Sequence, residues 1–263
     1  NGKTVFSNTV LQPKDQLRVH VTEKKTSDQI VPVPMDLSVV FEDEHVLVID
    51  KPAGMPVHPS QGHYENTLAN GIAWYYRNEA TPFVFRAVNR LDRDTSGLVL
   101  LAKNPYSSCV LSDAVKDHTI HREYAAIVSG KTDASGTIDL PIARKDGSTI
   151  ERVCDPERGE TAVTHYRTFA YNKDADISFI RLLLETGRTH QIRVHMKAIG
   201  HPLPGDFLYC PDYRLIDRQP LHSIYLSFSH PVTGKKLEFS APLPQDMRNL
   251  FPDIKNPSGP VFF

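Results

Sequence analysis

The stretch Asn89–Asn104, "NRLDRDTSGLVLLAKN", joins a charged turn to an apolar strand. Asp92 lies between Arg90 and Arg93, and Leu98–Ala102 is apolar at every position. A short apolar run bounded by turn residues is typical of a strand buried on both faces, so Asp92 should lie where a loop enters the core. Burial penalises a carboxylate charge and nearby arginines favour it, which makes Asp92 a candidate for chemistry. The alternative is that Asp92 pairs with an arginine and only stabilises the turn. For an Arg-Leu-Asp-Arg sequence taken by itself, we favour this structural role.

The composition indicates a globular protein with a sizeable core. The 263 residues are 40% hydrophobic, enough for one large domain or two modest ones. No apolar run approaches the roughly 20 residues of a membrane span and no signal peptide is evident, so we expect a cytoplasmic protein. The three cysteines, Cys109, Cys154 and Cys210, lie far apart, which argues against a disulfide framework or a zinc site. Because the first residue is Asn and not Met, we expect a fragment or a processed form.

The charge is balanced overall but unevenly distributed. Lys and Arg number 30 and Asp and Glu number 31, so the net charge of −1 does not by itself indicate a nucleic-acid partner. Two windows are nevertheless basic, the first with Arg86, Arg90, Arg93 and Lys103 and the second with Arg181, Arg188, Arg193 and Lys197. A basic groove on a neutral protein is compatible with this pattern.

Strand patterns outnumber helix patterns along the chain. "SVVF" and "VLVID" predict a hairpin, followed by a loop rich in Pro and Gly and a helix capped by Asn66 or Thr67. Further strands are predicted at "QLRVHV", "HREYAAIVSG", "TAVTHYRTFAY" and "ISFIRLLLE". Because these strands follow one another without regular helical crossovers, the pattern favours an α+β domain over a doubly wound one.

The second informative stretch is Leu182–Asp206, "LLLETGRTHQIRVHMKAIGHPLPGD". Thr189 is the predicted cap of a helix that should stop at Gly200, just before Pro202. One helix face carries Ile192, Met196 and Ile199 for the core, and the other carries His190, Arg193 and Lys197, with Arg188 just before the helix. Donors gathered near a helix N-terminus attract anions, so this face predicts a site for a phosphate backbone or a catalytic carboxylate, with a solvated face as the alternative.

Other chemistries fail on spacing. "DRDTSG" begins like a calcium loop, but the twelfth position counted from Asp92 is Lys103, which cannot bind calcium. Ser96 lies outside the Gly-x-Ser-x-Gly elbow of serine hydrolases. His190 and His195 fall on different helix faces and lack a completing carboxylate, so we expect no metal site. Without a dinucleotide fingerprint or a Walker motif, we expect no cofactor.

Six stretches in this order resemble the RluA-type family of RNA pseudouridine synthases. They are "VIDKPAGMPVHP", "RLDRDTSGLVLLAK", "HREYAAIV", "TAVTHYR", "ETGRTHQIRVHMKAIGHPLPGD" and "LHSIYLSFSHPVTG". The resemblance covers about residues 36 to 245, and the ordered set is far more specific than any single motif.

The resemblance implies roles for individual residues. Asp92 corresponds to the family's catalytic aspartate, Tyr124 to a tyrosine that lies against the target base, and Arg193 to an arginine that pairs with the aspartate. Arg90 corresponds to an arginine that helps to displace the target nucleotide. We expect five further residues to contact the substrate: Arg93, Arg188, His190, Gln191 and Lys197. The family commonly has His before Arg90, whereas this chain has Asn89, which removes any orienting contact made through that ring.

The resemblance also implies the fold, a mixed and mostly antiparallel β-sheet in two halves with flanking helices and a central active-site cleft. We predict residues 36–250 as the catalytic domain and residues 251–263 as a C-terminal tail. Residues 1–35 are predicted to be a strand and linker, and "NTVLQPKDQLRVHV" resembles the end of a small RNA-binding domain that many members carry. An ordinary leader strand explains this segment nearly as well. We expect a monomer with no membrane association.

The expected reaction is the isomerisation of specific uridines to pseudouridine in ribosomal or transfer RNA. A base must leave its stack to reach a buried Asp92, and this costs least in loops, so unpaired uridines are the expected targets. Two other classes of protein remain open. A non-catalytic RNA-binding module would not need Asp92, Tyr124 and Arg193 together. A glycoside or nucleoside hydrolase needs a second carboxylate, for which Asp94 and Glu185 are available.

Overall fold

The computed structural model describes residues 2–19, 27, 30–78, 83–254 and 259–262 of the 263-residue chain. Within these ranges the strands are β1 Ser38–Glu42, β2 Val46–Lys51, β3 Ser96–Ala102, β4 His121–Ser129, β5 Ser135–Asp139, β6 Ile142–Arg144, β7 Arg152–Cys154, β8 Val163–Asn172, β9 Ile177–Leu184, β10 Leu221–Ser229 and β11 Lys236–Ser240. The helices are α1 Leu68–Tyr75, α2 Pro105–Lys116, α3 Gln191–Ala198 and α4 Gln245–Leu250. None of these helices is long and apolar enough to cross a membrane.

Nine strands form one sheet in the order β1-β2-β3-β10-β4-β9-β8-β5, with β11 also paired to β10. β6 and β7 form a separate two-stranded hairpin. Every pairing is antiparallel except that of β3 with β10, which is parallel. The predicted mixed and mostly antiparallel α+β fold is confirmed.

The sheet consists of two half-sheets, β1-β2-β3 and β10-β4-β9-β8-β5, that meet only briefly. Ser96 and Gly97 of β3 pair with His222 and Ser223 of β10, and from Tyr225 onward β10 pairs with β11 instead. Gly97 has φ 107°, and a Cβ atom at this position would lie 2.2 Å from the carbonyl oxygen of Ser223, so only glycine allows the two backbones to approach. The half-sheets diverge beyond this contact, and a cleft opens between them.

β3 is buried along its whole length, as its apolar run predicts. Val99 and Leu101 belong to a core cluster on one face that also contains Met196 of α3. Leu100 belongs to a second cluster on the opposite face, which includes Leu111 of α2. Because both faces are covered, β3 provides a rigid base for the loop that precedes it.

The local predictions for the first hairpin and helix are confirmed. β1 and β2 pair in an antiparallel hairpin. Thr67 caps α1 in a reciprocal capping box: the Asn70 amide donates to the Thr67 hydroxyl, and the Thr67 amide donates to the Asn70 side chain.

Two local predictions are wrong. The residue that precedes α3 is His190, not Thr189, and it has a left-handed backbone with φ 58° and forms no side-chain cap. The predicted strand "QLRVHV" is not found at Gln16–Val19, and its last two residues lie outside the described residues. An isolated short strand pattern carries no partner of its own, so its formation depends on pairing that the sequence does not show.

Candidate active site

The cleft between the half-sheets brings together five of the predicted site residues. It has a volume of about 750 Å³ and is lined by the loop that enters β3, the first part of β4 and the turn after β9, with Arg90, Asp92, Tyr124, Arg188 and His190 among the lining residues. Residues far apart in the chain therefore meet in one cleft.

Asp92 is bound from the buried side of the cleft by Arg193. The Nη1 atom of Arg193 donates to Oδ2 of Asp92 at 2.7 Å. The Arg193 side chain is only 1% exposed, whereas that of Asp92 is 28% exposed, so the carboxylate reaches the cleft and the arginine does not. α3 fixes this arrangement because its neighbouring residues Ile192 and Met196 are buried in the core.

A second carboxylate, Asp206, fixes the arginine itself. Nε and Nη2 of Arg193 donate to the two Asp206 oxygens at 2.6 and 2.7 Å, and Asp206 also accepts from the amides of Leu208 and Tyr209. Burial opposes the charge of Arg193, but the hydrogen bonds and charges of Asp206 and Asp92 raise its pKa above the ordinary value. Arg193 therefore stays charged and points one N–H group at Asp92. Asp206 was not singled out in the sequence, although it ends one of the motifs that carry the resemblance.

Tyr124 faces the same cleft from β4. It pairs with Leu182 of β9 and Ser223 of β10, and it is 5% exposed. Burial is the main reason that the pKa of Tyr124 is raised, so the phenol keeps its proton at neutral pH. A flat ring at the floor of a cleft is suited to stacking against a base.

His190 completes the site on the side of α3. Its Nε2 atom lies 3.9 Å from Oδ2 of Asp92, and its Nδ1 atom lies 3.0 Å from the Tyr209 hydroxyl. Burial lowers the pKa of His190 below its ordinary value, and the charge of Asp92 opposes this shift.

A family model described as RNA pseudouridylate synthase matches residues 45–198, more than half of the chain. This range contains Asp92, Tyr124 and Arg193. The chain belongs to the RNA pseudouridylate synthase family. It is therefore an isomerase that acts on RNA, and the resemblance to the RluA-type members is confirmed.

Named relatives agree with this assignment. The uncharacterized RNA pseudouridine synthase YjbO of Bacillus subtilis (strain 168) is 45% identical over 251 residues, which cover 95% of this chain and 88% of the relative. Ribosomal large subunit pseudouridine synthase D of Zymomonas mobilis subsp. mobilis is 42% identical over 240 residues, which cover 84% of this chain and 73% of the relative. The solved structure of Human RNA Pseudouridylate Synthase Domain Containing 1 has a TM-score of 0.66 and 25% identity, over 79% of this chain and 83% of that chain.

The loop that carries Asp92 in this RNA pseudouridine synthase is anchored through Asn89. The Asn89 side chain is 5% exposed; its Oδ1 accepts from the amide of Leu100 at 2.7 Å, and its Nδ2 donates to the carbonyl of Leu98 at 3.2 Å. The residue that replaces the usual histidine therefore ties the loop to β3.

Two further basic side chains bind carbonyl groups of the same loop, and one of them, Lys51, also binds the loop that follows β2. Nζ of Lys51 donates to the carbonyls of Pro52, Met55 and Arg93 at 2.8, 2.8 and 3.1 Å, which gives every ammonium hydrogen an acceptor. Burial lowers the pKa of Lys51 to about 7, with the charges of Asp94 and Asp92 opposing the shift. Nη1 of Arg218 donates to the Asp94 carbonyl at 3.1 Å. Lys51 lies in the first resembling motif, yet no side-chain role was predicted for it.

Besides His190, two predicted substrate contacts line the cleft, and both are arginines. Arg90 is exposed there and forms no hydrogen bond or ion pair within the described part of the chain. Arg188 also lines the cleft, but it donates to the Thr161 carbonyl at 2.9 Å and to Glu160 at 2.5 Å. Arg90 is therefore the more available of the two for RNA.

The other predicted contacts lie outside the cleft lining. Arg93 is paired with Asp94 through two hydrogen bonds of 3.0 and 2.8 Å, and Lys197 is exposed in the last turn of α3. The 2%-exposed Gln191 donates both amide hydrogens to the Val163 carbonyl and the Thr164 hydroxyl, and its oxygen accepts from Thr186 and Arg188. These bonds assign Gln191 to the framework of the turn instead of the predicted substrate contact.

Arg122 is a cleft residue that sequence reasoning missed. It lies two positions before Tyr124 on the same face of β4, and its guanidinium nitrogens would lie 3.4 Å from a Cβ atom at Gly187. Its buried Nε has no hydrogen-bond partner within the described residues. The signal was present in the motif "HREYAAIV", where alternation puts Arg122 and Tyr124 on one face.

The second carboxylates considered for a hydrolase are both engaged elsewhere. Asp94 pairs with Arg93, and Glu185 bonds Nε2 of His165 at 2.6 Å. Neither is held toward Asp92 in the manner of a paired acid and base.

Proposed function

We propose that Asp92 is the catalytic carboxylate of uridine isomerisation, supported by Arg193 and assisted by Tyr124. The observation that carries this proposal is the chain of contacts from Asp206 through Arg193 to Asp92. It starts at a carboxylate that is 0% exposed and ends at one that is 28% exposed in the cleft. A chain of buried ion pairs that ends at one partly exposed carboxylate in a cleft is typical of a functional site.

The reaction rearranges one nucleoside. The bond from N1 of uracil to C1′ of the ribose breaks, the base turns, and C5 of uracil bonds to the same C1′ atom. The hydrogen of C5 leaves as a proton and N1 takes up a proton, so the composition is unchanged. Since the product is an isomer, neither an oxidant nor phosphate energy is required.

Asp92 acts in this reaction as an anion. Cleavage of the glycosidic bond builds positive charge on the sugar, which a nearby carboxylate stabilises or attacks. Addition to the base and removal of a sugar proton also require the ionised form. Arg193 favours that form in each case, because it donates to Oδ2 and is itself locked by Asp206.

Tyr124 supports the flipped base, and three arginines at the cleft are placed for the RNA backbone. Stacking on an aromatic ring contributes roughly 1 to 3 kcal/mol per base, which compensates part of the cost of unstacking. Arg90, Arg122 and Arg188 line the same cleft, where their charges favour phosphate groups.

The substrate that we propose is a weakly paired uridine in ribosomal RNA. Relatives named ribosomal large subunit pseudouridine synthase D support ribosomal over transfer RNA. We place the enzyme in the cytoplasm, where such RNA is found. Mapping of pseudouridines in RNA from cells with and without this protein identifies the site, and a change confined to transfer RNA would contradict the ribosomal assignment.

The test of the catalytic assignment is Asp92→Asn, with Asp94→Asn as the matched control in the same loop. The C5 hydrogen must leave, so release of tritium from RNA labelled at uracil C5 measures turnover. We expect Asp92→Asn to lose more than about a thousandfold, equivalent to about 4 kcal/mol, while Asp94→Asn stays within about tenfold. The wild type should need no added cofactor and should work with a chelator. Activity of Asp92→Asn within tenfold of wild type, or release of free uracil, would overturn the assignment.

A further inference from the structure

His190 has an unusual backbone that the helix itself does not explain. It precedes α3 with φ 58°, a conformation uncommon outside glycine, and its side chain forms no cap for the helix. The ring instead lies between Asp92 and Tyr209 and is 13% exposed. The backbone at this position serves to direct the ring into the site.

The hydrogen bonds of Tyr209 determine which ring nitrogen of His190 carries a hydrogen. The Tyr209 oxygen accepts from the Arg152 amide at 2.9 Å and lies 3.0 Å from Nδ1 of His190. Burial raises the pKa of Tyr209 to about 12, so the hydroxyl keeps its hydrogen. Within the described residues, Nδ1 is the one acceptor that this hydrogen meets, so Nδ1 is unprotonated.

A neutral imidazole with an unprotonated Nδ1 carries its hydrogen on Nε2. Nε2 lies 3.9 Å from Oδ2 of Asp92 and faces it. The ring is neutral at pH 7 because burial lowers its pKa. Arg193 and Arg152 act in the same direction, and Asp92 and Asp206 oppose them.

We propose that His190 is a positioning residue whose Nε2–H tautomer, fixed by Tyr209, holds Asp92 by Oδ2 together with Arg193. Both groups then act on the same oxygen, and Oδ1, which has no hydrogen bond within the described part of the chain, is the oxygen that meets the nucleotide. This inference rests on the proposed function of Asp92.

The distance of 3.9 Å is longer than a hydrogen bond, so in the free enzyme the contact is electrostatic. An approach of the ring by about 1 Å would make it a hydrogen bond, as happens when catalytic contacts tighten around a substrate. His190 was predicted to contact the substrate. Because its Nδ1 atom bonds Tyr209 and its Nε2 atom faces Asp92, it has this different role.

The first test is spectroscopic and uses the full chain labelled with ¹⁵N-histidine. We expect the His190 signals at pH 7 to show a neutral ring with hydrogen on Nε2. Tyr209→Phe should shift the ring toward a mixture of tautomers, whereas Tyr171→Phe, at an exposed tyrosine of β8, should leave the signals unchanged. A charged ring or an Nδ1–H tautomer in the wild type would overturn the inference without involving any variant.

The second test separates positioning from substrate binding. Tyr209→Phe keeps the ring beside Arg193, and His190→Asn keeps a residue that tolerates the left-handed backbone. Each should lower kcat by about tenfold with KM within about twofold, and the double variant should be no worse than either, because the two act as one unit. A rise in KM with unchanged kcat, or losses in kcat that add up in the double variant, would contradict the inference. An active Asp92→Asn would instead overturn the proposed function and leave the tautomer result standing.

Discussion

Among the described residues, two arginines are almost completely buried, and only one of them contacts a carboxylate of the cleft. Arg181 is 0% exposed and pairs with Glu123, which is 1% exposed. Glu123 also accepts from the amides of Val261 and Phe262, so the C-terminal residues close over the pair. Arg193 is equally buried, yet its contacts lead from Asp206 to a carboxylate in the cleft.

The electrostatics of the two arginines differ in direction. Burial lowers the pKa of Arg181, and Glu123 only partly opposes this shift. Two of its nitrogens, Nε and Nη1, have no hydrogen-bond partner within the described residues. Arg193 has two carboxylates, and its pKa is raised. The two arginines are equally buried, so they differ in the number of carboxylates that they bind and in whether one of those carboxylates reaches the cleft.

The largest expected effect comes from Arg193→Met. The variant removes the cation that favours the anionic form of Asp92, so we expect kcat to fall by more than about a thousandfold. Binding of RNA should change by less than about threefold, because Arg193 is 1% exposed and its nitrogens already serve Asp92 and Asp206. Single-turnover kinetics at saturating RNA and a binding titration at several salt concentrations measure the two quantities.

The control for this variant addresses folding. Asp206 becomes an unpaired buried carboxylate in Arg193→Met, so the double variant with Asp206→Asn restores neutrality at the same place. Both should be inactive, and the double variant should unfold at a higher denaturant concentration. A variant that keeps full turnover and loses only salt-sensitive affinity would refute the ion pair as a catalytic feature.

Arg181→Met should show the opposite pattern. Loss of one partner of a buried ion pair costs about 3 kcal/mol or more, so the free energy of unfolding should fall by that amount. Turnover by the folded protein should stay within about twofold, since Arg181 does not line the cleft. Glu123→Gln in the same background should recover part of the stability. Denaturant unfolding measures the stability, and a large loss of kcat in the folded variant would remove the distinction between the two arginines.

The sequence predicted the elements whose signals are local. The apolar run after Asp92 predicted β3, and the spacing of Ile192 and Met196 predicted which face of α3 enters the core. Arg193 follows from that spacing, because a residue beside two core positions must lie near the floor of the site. α2 was missed although Asn104 followed by Pro105 is a helix start signal, and Asn104 does cap it.

The partner of Arg193 could not be predicted from such signals. Asp206 lies 13 residues after Arg193 in an irregular segment rich in Pro and Gly, where no periodicity reports burial. Its burial depends on tertiary contacts, including the amides of Leu208 and Tyr209. The left-handed backbone of His190 could not be predicted for a related reason. Thr189 is the better capping residue by local chemistry, but tertiary contacts start the helix one residue later.

Another buried basic group, His222, makes the stability of the fold depend on pH. His222 is 1% exposed, its Nδ1 bonds the Ser96 hydroxyl at 2.9 Å, and burial lowers its pKa to about 4. Below about pH 6.5 the unfolded ring binds a proton that the folded ring does not, so stability falls until about pH 4. Between pH 7 and pH 5 this single group should cost about 2 kcal/mol.

Urea unfolding at the two pH values checks this expectation, with His222→Gln as the comparison. His58, His190 and His195 also have lowered pKa values and add to the slope in both proteins, so the difference between wild type and variant isolates His222. An identical loss of stability in the two proteins would show that His222 is not the neutral buried ring that its surroundings require.

The smallest expected effect belongs to Lys197, which shares a helix with Arg193 but not its burial. Lys197 is exposed, and its Nζ lies 5.4 Å from the centre of the Tyr209 ring. A cation placed one turn beyond the active-site arginine is suited to a phosphate of the bound RNA. Lys197→Met should therefore reduce the slope of log affinity against log salt concentration by about one unit and leave kcat unchanged. Arg193→Met is expected to lower kcat and to leave RNA binding nearly unchanged. The two variants together therefore test whether α3 separates the two roles, with a buried residue for catalysis and an exposed residue for RNA binding. A loss of kcat in Lys197→Met with an unchanged salt slope would show that it does not.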